Sequence, residues 1–122
     1  MMNNATRDSF LAPVKCKTSE FDCAIGRVRM RELSGSDYSK HLVDWLRPKG
    51  KLDKAREAVM WSRLVVLCVV DENGDRLLTD DDVAAVEAMP KSVLNLLHKE
   101  ALTLHGQLEP EEDDDFLEPS GD

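Results

Sequence analysis

Val69-Val70-Asp71-Glu72-Asn73-Gly74-Asp75-Arg76-Leu77-Leu78-Thr79-Asp80-Asp81-Asp82-Val83 joins the two apolar halves of the chain. An apolar run stops at an acidic Asn-Gly turn, and a helix start follows at once. Thr79 is an N-cap residue, and Asp80, Asp81 and Asp82 fill the first turn, where carboxylates favour the positive helix end. Two readings compete. A calcium loop of the EF-hand kind takes oxygen ligands from alternating positions and a bidentate Glu at position twelve. Asp71, Asn73 and Asp75 fit the first three slots, and Leu78 fits the apolar eighth. Slot six, which needs Gly for a sharp turn, is Arg76, and slot twelve is the shorter Asp82. The departures favour an Asn-Gly turn joining two elements, with no metal or other cofactor expected.

Upstream of the turn, residues 52–70 carry Ala55, Ala58, Val59, Ser62, Val65, Val66 and Val69 at helical spacing. The run from Leu64 to Val70 is β-branched enough for a strand. Its continuity with the polar start at Asp53 favours one long helix. Before it, Tyr38, Leu42, Trp45 and Leu46 form one helical stripe, opened by Ser34 and Asp37 and closed by Arg47-Pro48-Lys49-Gly50. Before that, Val28 and Met30 alternate with Arg27, Arg29 and Arg31, the period of a half-exposed strand. Thr18–Cys23 is an earlier strand, and Ala24-Ile25-Gly26 turns between the two. Residues 1–14 are polar and irregular and are expected to be mobile.

Downstream, Val83, Val86 and Met89 make a short stripe that Pro90 interrupts. Val93, Leu94, Leu97, Ala101 and Leu104 form the face of a last helix, stopped near Gly106. The fold expected is mainly α. It has about four helices in a small bundle, a short N-terminal β-hairpin and a disordered acidic C-terminal tail. Residues 15–106 form one domain, with the hairpin at 15–33 and the helices at 34–106, between a mobile 1–14 and the tail 107–122.

A chain of 122 residues, 42% apolar and only 5% aromatic, supports one aliphatic core without disulfides or metal. Cys16, Cys23 and Cys68 lack paired spacing and read as free thiols of a reducing cytosol. No run approaches the ~18 apolar residues of a membrane span, and no signal peptide is expected.

The net charge of −8 conceals a gradient. Residues 106–122 hold eight acidic residues and no Lys or Arg, which leaves 16 acidic against 16 basic residues in 1–105. Residues 1–63 carry 13 basic and 8 acidic groups, and residues 64–105 carry 3 and 8. Such polarity favours a protein partner or head-to-tail self-association over nucleic acid, because an acidic tail competes with phosphates. The basic strip at Arg27, Arg29 and Arg31 has no interleaved aromatic for base stacking.

His41, His98 and His105 offer no metal spacing and read as surface residues. Cys68 lies in an apolar run, where a thiol is inert packing. With no phosphate-cradling loop or nucleophile elbow, no catalytic residue is assigned. The candidate partner-binding residues are Arg27, Arg29 and Arg31 on the strand, Trp61 on the long helix, Leu97 and Leu104 on the last helix, and Phe116 and Leu117 within the acidic tail. A degenerate calcium-binding helical module and a small acidic-tailed regulatory adaptor are the alternatives to the reading that follows.

The order of parts resembles the tail assembly chaperones of long-tailed, non-contractile bacteriophages. The likeness is carried by Arg29-Met30-Arg31-Glu32-Leu33-Ser34 at the end of the strand, by Val69-Val70-Asp71-Glu72-Asn73-Gly74-Asp75, by Leu77-Leu78-Thr79-Asp80-Asp81-Asp82-Val83 between two helices, and by a final helix from Leu94 to Leu104. It covers about residues 25–106. Leu78 stands where the family often has Phe. The resemblance implies a non-enzymatic protein that coats the tape-measure protein, helps recruit tail-tube subunits in the host cytoplasm, and leaves before the virion is complete. It also implies that a frameshifted, longer form is often made, and the acidic tail sits where such an extension would attach.

Overall fold

The computed structural model describes residues 4–107. The acidic segment with Phe116 and Leu117 lies outside them. Chain order is α1 (Arg7–Leu11), β1 (Thr18–Cys23), β2 (Gly26–Arg31), α2 (Gly35–Tyr38), α3 (Asp44–Leu46), α4 (Lys54–Ala58), α5 (Met60–Cys68), β3 (Val69–Val70), α6 (Val83–Glu87) and α7 (Lys91–Leu104). A π-helical turn, Ser39–Val43, joins α2 and α3 into one run, so the described residues hold six helices and one three-stranded antiparallel sheet. Mainly helical content is as expected, whereas "about four" helices understates the number. The added pieces are α1, which a capping box of Thr6 and Ser9 holds within the segment read as irregular, and the division of the long helix.

The hairpin forms where the alternation placed it. Phe21 faces Val28 and Ser19 faces Met30 across β1 and β2. Val28 and Met30 are buried on the inner side, while Arg27 stands opposite Asp22 and Arg29 opposite Glu20 on the outer side. Gly26, at φ +130°, lets the chain leave the turn in a conformation that other residues rarely adopt.

The single helix expected over residues 52–70 is divided twice. Val59 leaves helical geometry at φ −117°, ψ 19°, separating α4 from α5. The two halves need different faces: α4 has no buried residue, whereas Ser62 to Cys68 of α5 are all buried. A helix apolar all round must be covered on every side. Around α5 stand α7, α6, the π turn and β2. At its other end the helix stops at Cys68, and Val69–Val70 become a strand, with Val69 paired to Met30 and Val70 to Arg29. The reason is local and tertiary together. Two β-branched residues favour extended backbone, and the free edge of β2 satisfies their buried amides and carbonyls.

The acidic joint closes on itself. The Asp71 N–H donates to the Asp75 carbonyl at 2.8 Å, and the Gly74 N–H donates to the Asp71 carbonyl at 3.0 Å. Asp71 Oδ1 accepts from the amides of Asn73 and Asp75 at 2.8 and 3.0 Å. Gly74, at φ +86°, supplies the left-handed position of the turn. The chain then runs back, with Arg76 bridged to Val70 and the Leu77 N–H on the Val69 carbonyl. Thr79 opens the next helix through a 3-10 turn, Asp80–Asp82, and Asp82 Oδ2 accepts from the Thr79 N–H at 2.7 Å. In α7, Leu94, Leu97, Ala101 and Leu104 are buried, and Gly106 ends the helix at φ +74°.

Asp71→Ala removes the acceptor for two turn amides. It is expected to lower unfolding free energy by about 1–2 kcal/mol in urea titration, to the same extent in calcium and in chelator.

Candidate functional site

Two features stand out: a group of buried polar contacts holding the helices in register, and an apolar groove beside the joint. The first begins with Ser62, fully buried on α5. Its hydroxyl donates to Glu87 Oε2 at the end of α6, and its oxygen lies 3.0 Å from His98 Nε2 on α7. One hydroxyl has one proton, so the Glu87 bond commits it and His98 donates through Nε2–H. The serine stands between acid and imidazole. In a nucleophilic relay the imidazole stands between the other two. What this arrangement does is tie three helices at a fully buried point.

His105 makes a second tie. The Leu33 N–H donates to His105 Nε2 at 2.9 Å, so Nδ1 carries the proton and donates to the Ala101 carbonyl at 2.8 Å. The Tyr38 ring lies 5.5 Å away and Cys68 Sγ 4.0 Å away. Burial pushes the Cys68 thiol up to about 12, which suits packing rather than nucleophilic chemistry. Burial also raises Tyr38, with Cys68 adding to it. Both His98 and His105, read as surface residues, are thus half-buried and hydrogen-bonded.

Arg63 is the buried cation. It donates to Asp80 through Nη2 at 3.2 Å, and its guanidinium lies 4.7 Å from the centroid of the Trp45 ring. Desolvation lowers its pKa and Asp80 opposes that. Arg56 also lies over Trp45, at 5.3 Å, and donates to its carbonyl at 2.8 Å. Among the described residues, no group of three His, Cys, Asp or Glu side chains is placed to hold a metal ion. Asp71 Oδ1, the first slot of the calcium-loop reading, is turned onto backbone amides instead.

The groove lies between the hairpin, α5 and α6. Its cavity of about 160 Å³ is lined by Ile25 and Val28 from the hairpin, Val65 from α5, Leu77 and Leu78 from the joint, and Val86 and Met89 at α6. Leu97 closes its floor. Ile25 and Leu77 stand at the mouth with 54% and 59% of their surface exposed. Arg27 and Arg29 form one rim, and a polar hollow with Glu20, Asp71 and Glu72 adjoins it.

The candidate residues separate accordingly. Arg27 and Arg29 line the groove, yet neither is a free cation. Arg27 pairs with Asp22 at 3.1 Å and Glu20 at 3.4 Å, and Arg29 pairs with Glu20. Arg31 lies apart, beside His41, Asp37 and Arg76. Trp61 is half-buried against the core. Leu97 and Leu104 need correcting as contact surface: at 2% and 7% exposure they are core residues. They lie on the face of α7 turned to α5, so the apolar stripe that marked them is the stripe the fold consumes. The periodic pattern of the sequence does not single out Ile25 or Leu77. Their signal is that they are large apolar residues in turns, where burial does not require them.

Compared with protein-family models, curated proteins and solved structures, the chain matches none.

His98 gives a pH prediction. Its pKa is lowered, chiefly by burial, with Glu87 acting the other way and Lys91 adding to the lowering. Well above the ordinary histidine pKa of about 6.5, both folded and unfolded forms are neutral and the group is silent. As pH falls through that value the unfolded chain takes up the proton first, so stability declines until the folded form also protonates. Denaturation midpoints at pH 7.5 and 5.5 are expected to differ less in His98→Gln than in the parent.

Proposed function

We propose that this chain is a non-enzymatic tail assembly chaperone of the kind made by long-tailed, non-contractile phages. It binds the tape-measure protein and assists tail-tube assembly in the host cytoplasm, and it leaves before the virion is complete. The observation that carries this reading is the groove. An apolar cleft opens beside the acidic joint, and two large aliphatic residues, Ile25 and Leu77, stand at its mouth. Exposed apolar residues gathered at a cleft suit a protein or peptide partner. The resemblance over residues 25–106 supports the same class, and parts of its quoted motifs line this cleft: Arg29 from the strand, and Val69, Val70, Leu77 and Leu78 from the connector. Of the helices, α6 and α7 pack against α5 beside the cleft. No helix among the described residues is long and apolar enough to cross a membrane.

Charge supports the reading in a second way. A basic-rich first half, an acidic second half and a strongly acidic C-terminal segment keep a complex with an apolar client dispersed. The same polarity lets copies stack head to tail along a filamentous client.

Co-expression with the tape-measure protein of the same genome is the direct experiment. The long protein is expected to move from the insoluble to the soluble fraction with the parent chain, and to remain insoluble with Leu77→Asp. No rescue by the parent would overturn the proposal. Stacking has its own test in size-exclusion chromatography with light scattering. Low salt is expected to raise the mean mass at high protein concentration and 1 M salt to reverse it, since screening acts within about 3 Å there. A single mass across all conditions rejects stacking.

A further inference from the structure

We infer that the groove beside the acidic joint receives the N-terminal arm of a second copy of this chain, with Phe10 in the cavity and Leu11 against its mouth. Both surfaces belong to this chain, and neither requires a particular client.

Among the described residues, seven large apolar side chains are exposed, and five of them gather in two places. Phe10, Leu11 and Val14 stand on the arm, and Ile25 and Leu77 stand at the mouth of the groove. The arm is ordered where it carries its anchor. Thr6 and Ser9 cap the single turn of α1, and Ala12, before Pro13, leaves it in extended backbone. Phe10 and Leu11 are thus presented on a formed turn that buries nothing in its own chain. An anchor already ordered loses less freedom on binding.

The two patches match in size. An apolar cavity of roughly 150 Å³ holds a benzene-sized group. The groove encloses about 160 Å³ between Ile25, Val28, Val65, Leu77, Val86 and Met89, room for one phenyl ring. Of the three phenylalanines, Phe21 is already packed against its own core. Charge separates the other two. The hollow beside the groove sets Glu20, Asp71 and Glu72 against Arg27 and Arg29, and both arginines are held by Glu20 and Asp22. Phe116 is flanked by Asp113-Asp114-Asp115 and Leu117-Glu118, so its run meets carboxylates of its own sign. Phe10 lies between Arg7 and Lys15, with Asp8 the one carboxylate of residues 4–16, and brings the opposite sign.

The hairpin sets arm and groove mouth at opposite ends. The arm leaves beside Thr18, which pairs with Arg31, and Lys17 is fastened there by its amide to Glu32 Oε1 and by its carbonyl to the Glu32 N–H. Ile25 lies in the turn at the other end, about 20 Å away along β1. None of the described arm residues lines the groove of its own chain. Arm and groove therefore join one copy to the next through unlike surfaces. A single aromatic anchor buries less than the roughly 1,000 Å² of a stable interface, so the association is weak.

The test uses full chains in 1 M salt, where screening within about 3 Å removes charge-driven stacking. Light scattering is expected to show the mean mass of the parent rising toward twofold as protein approaches ~1 mM, the range of a weak contact. Phe10→Ser and Leu77→Asp alter exposed side chains, and circular dichroism checks that both fold. Each variant alone is expected to keep the mass of one chain. Mixed together they are expected to form a two-chain species, because Phe10→Ser retains a groove and Leu77→Asp retains an arm. Nuclear magnetic resonance gives the location: the amides of Ile25, Leu77 and Met89 are expected to move with concentration in the parent and to stay fixed in Phe10→Ser. A parent of one mass throughout overturns the proposal, as does a mixture that stays at one-chain mass. So do groove shifts between parent and Phe10→Ser that persist on dilution, which would place the arm on its own chain. Phe10→Ser keeps the groove open to clients, so rescue of a tape-measure protein is read separately from self-association.

Discussion

The structure depends on one constraint: α5 has no face left for water. Seven consecutive residues, Ser62 to Cys68, are buried, so the helix is stable only when every side is covered. Its nine residues are too few to hold helical form alone in water. Hence the order of the remaining parts. The hairpin supplies Val28 and Met30 to one side, α7 lays Leu94, Leu97 and Ala101 along another, and the π turn brings Leu42 to a third. The polar residues of α5 obey the same rule. Ser62 is satisfied by two partners, and Arg63 is covered by Trp45 and paired with Asp80, though its Nε and Nη1 have no hydrogen-bond partner among the described residues. A buried donor without a partner costs free energy. The stacking on Trp45 and the ion pair to Asp80 offset part of that cost and fix the helix rotation.

The second organising element is the change of backbone at Cys68. A helix carried through to Val70 would leave one edge of β2 unpaired beneath the core. Extended residues at 69 and 70 complete the sheet, and the Asp71 turn sends the chain back along them. The groove is a by-product of that reversal. Leu77 and Leu78 return on the same side as the hairpin turn, and the described residues leave the space between the two returns open.

Much of this was legible in the residues. Strict alternation over residues 27–31 and the turn at Ala24-Ile25 gave the hairpin, because period two has one structural meaning. Spacing of three and four gave α7, and Gly106 its end. The Asn-Gly turn and the carboxylate-rich start at Thr79 gave the joint. The division at Val59 was not legible, since nothing in Ala58-Val59-Met60 breaks a helix by propensity; the cause is the difference between a solvated α4 and an enclosed α5. The third strand was hidden for a related reason. Two valines at the end of a helical pattern become extended only because β2 offers them a partner. Of the candidate residues, Arg27, Arg29 and Leu97 line the groove and Arg31 lies apart, but the sequence pattern does not separate apolar residues that build a core from those that open a cleft. Ser62, Glu87 and His98 are far apart in the chain and meet only when three helices pack.

The sheet order β1-β2-β3 leaves β1 at the rim, its outer side without a strand partner among the described residues. Exposed rims of this kind recruit other chains into intermolecular ladders. Here the neighbouring side chains are Glu20 and Asp22, pinned in place by Arg27 and Arg29. Charged side chains along such a rim disfavour an added strand, so these crossed ion pairs bear on strand recruitment as well as on the energy of the hairpin.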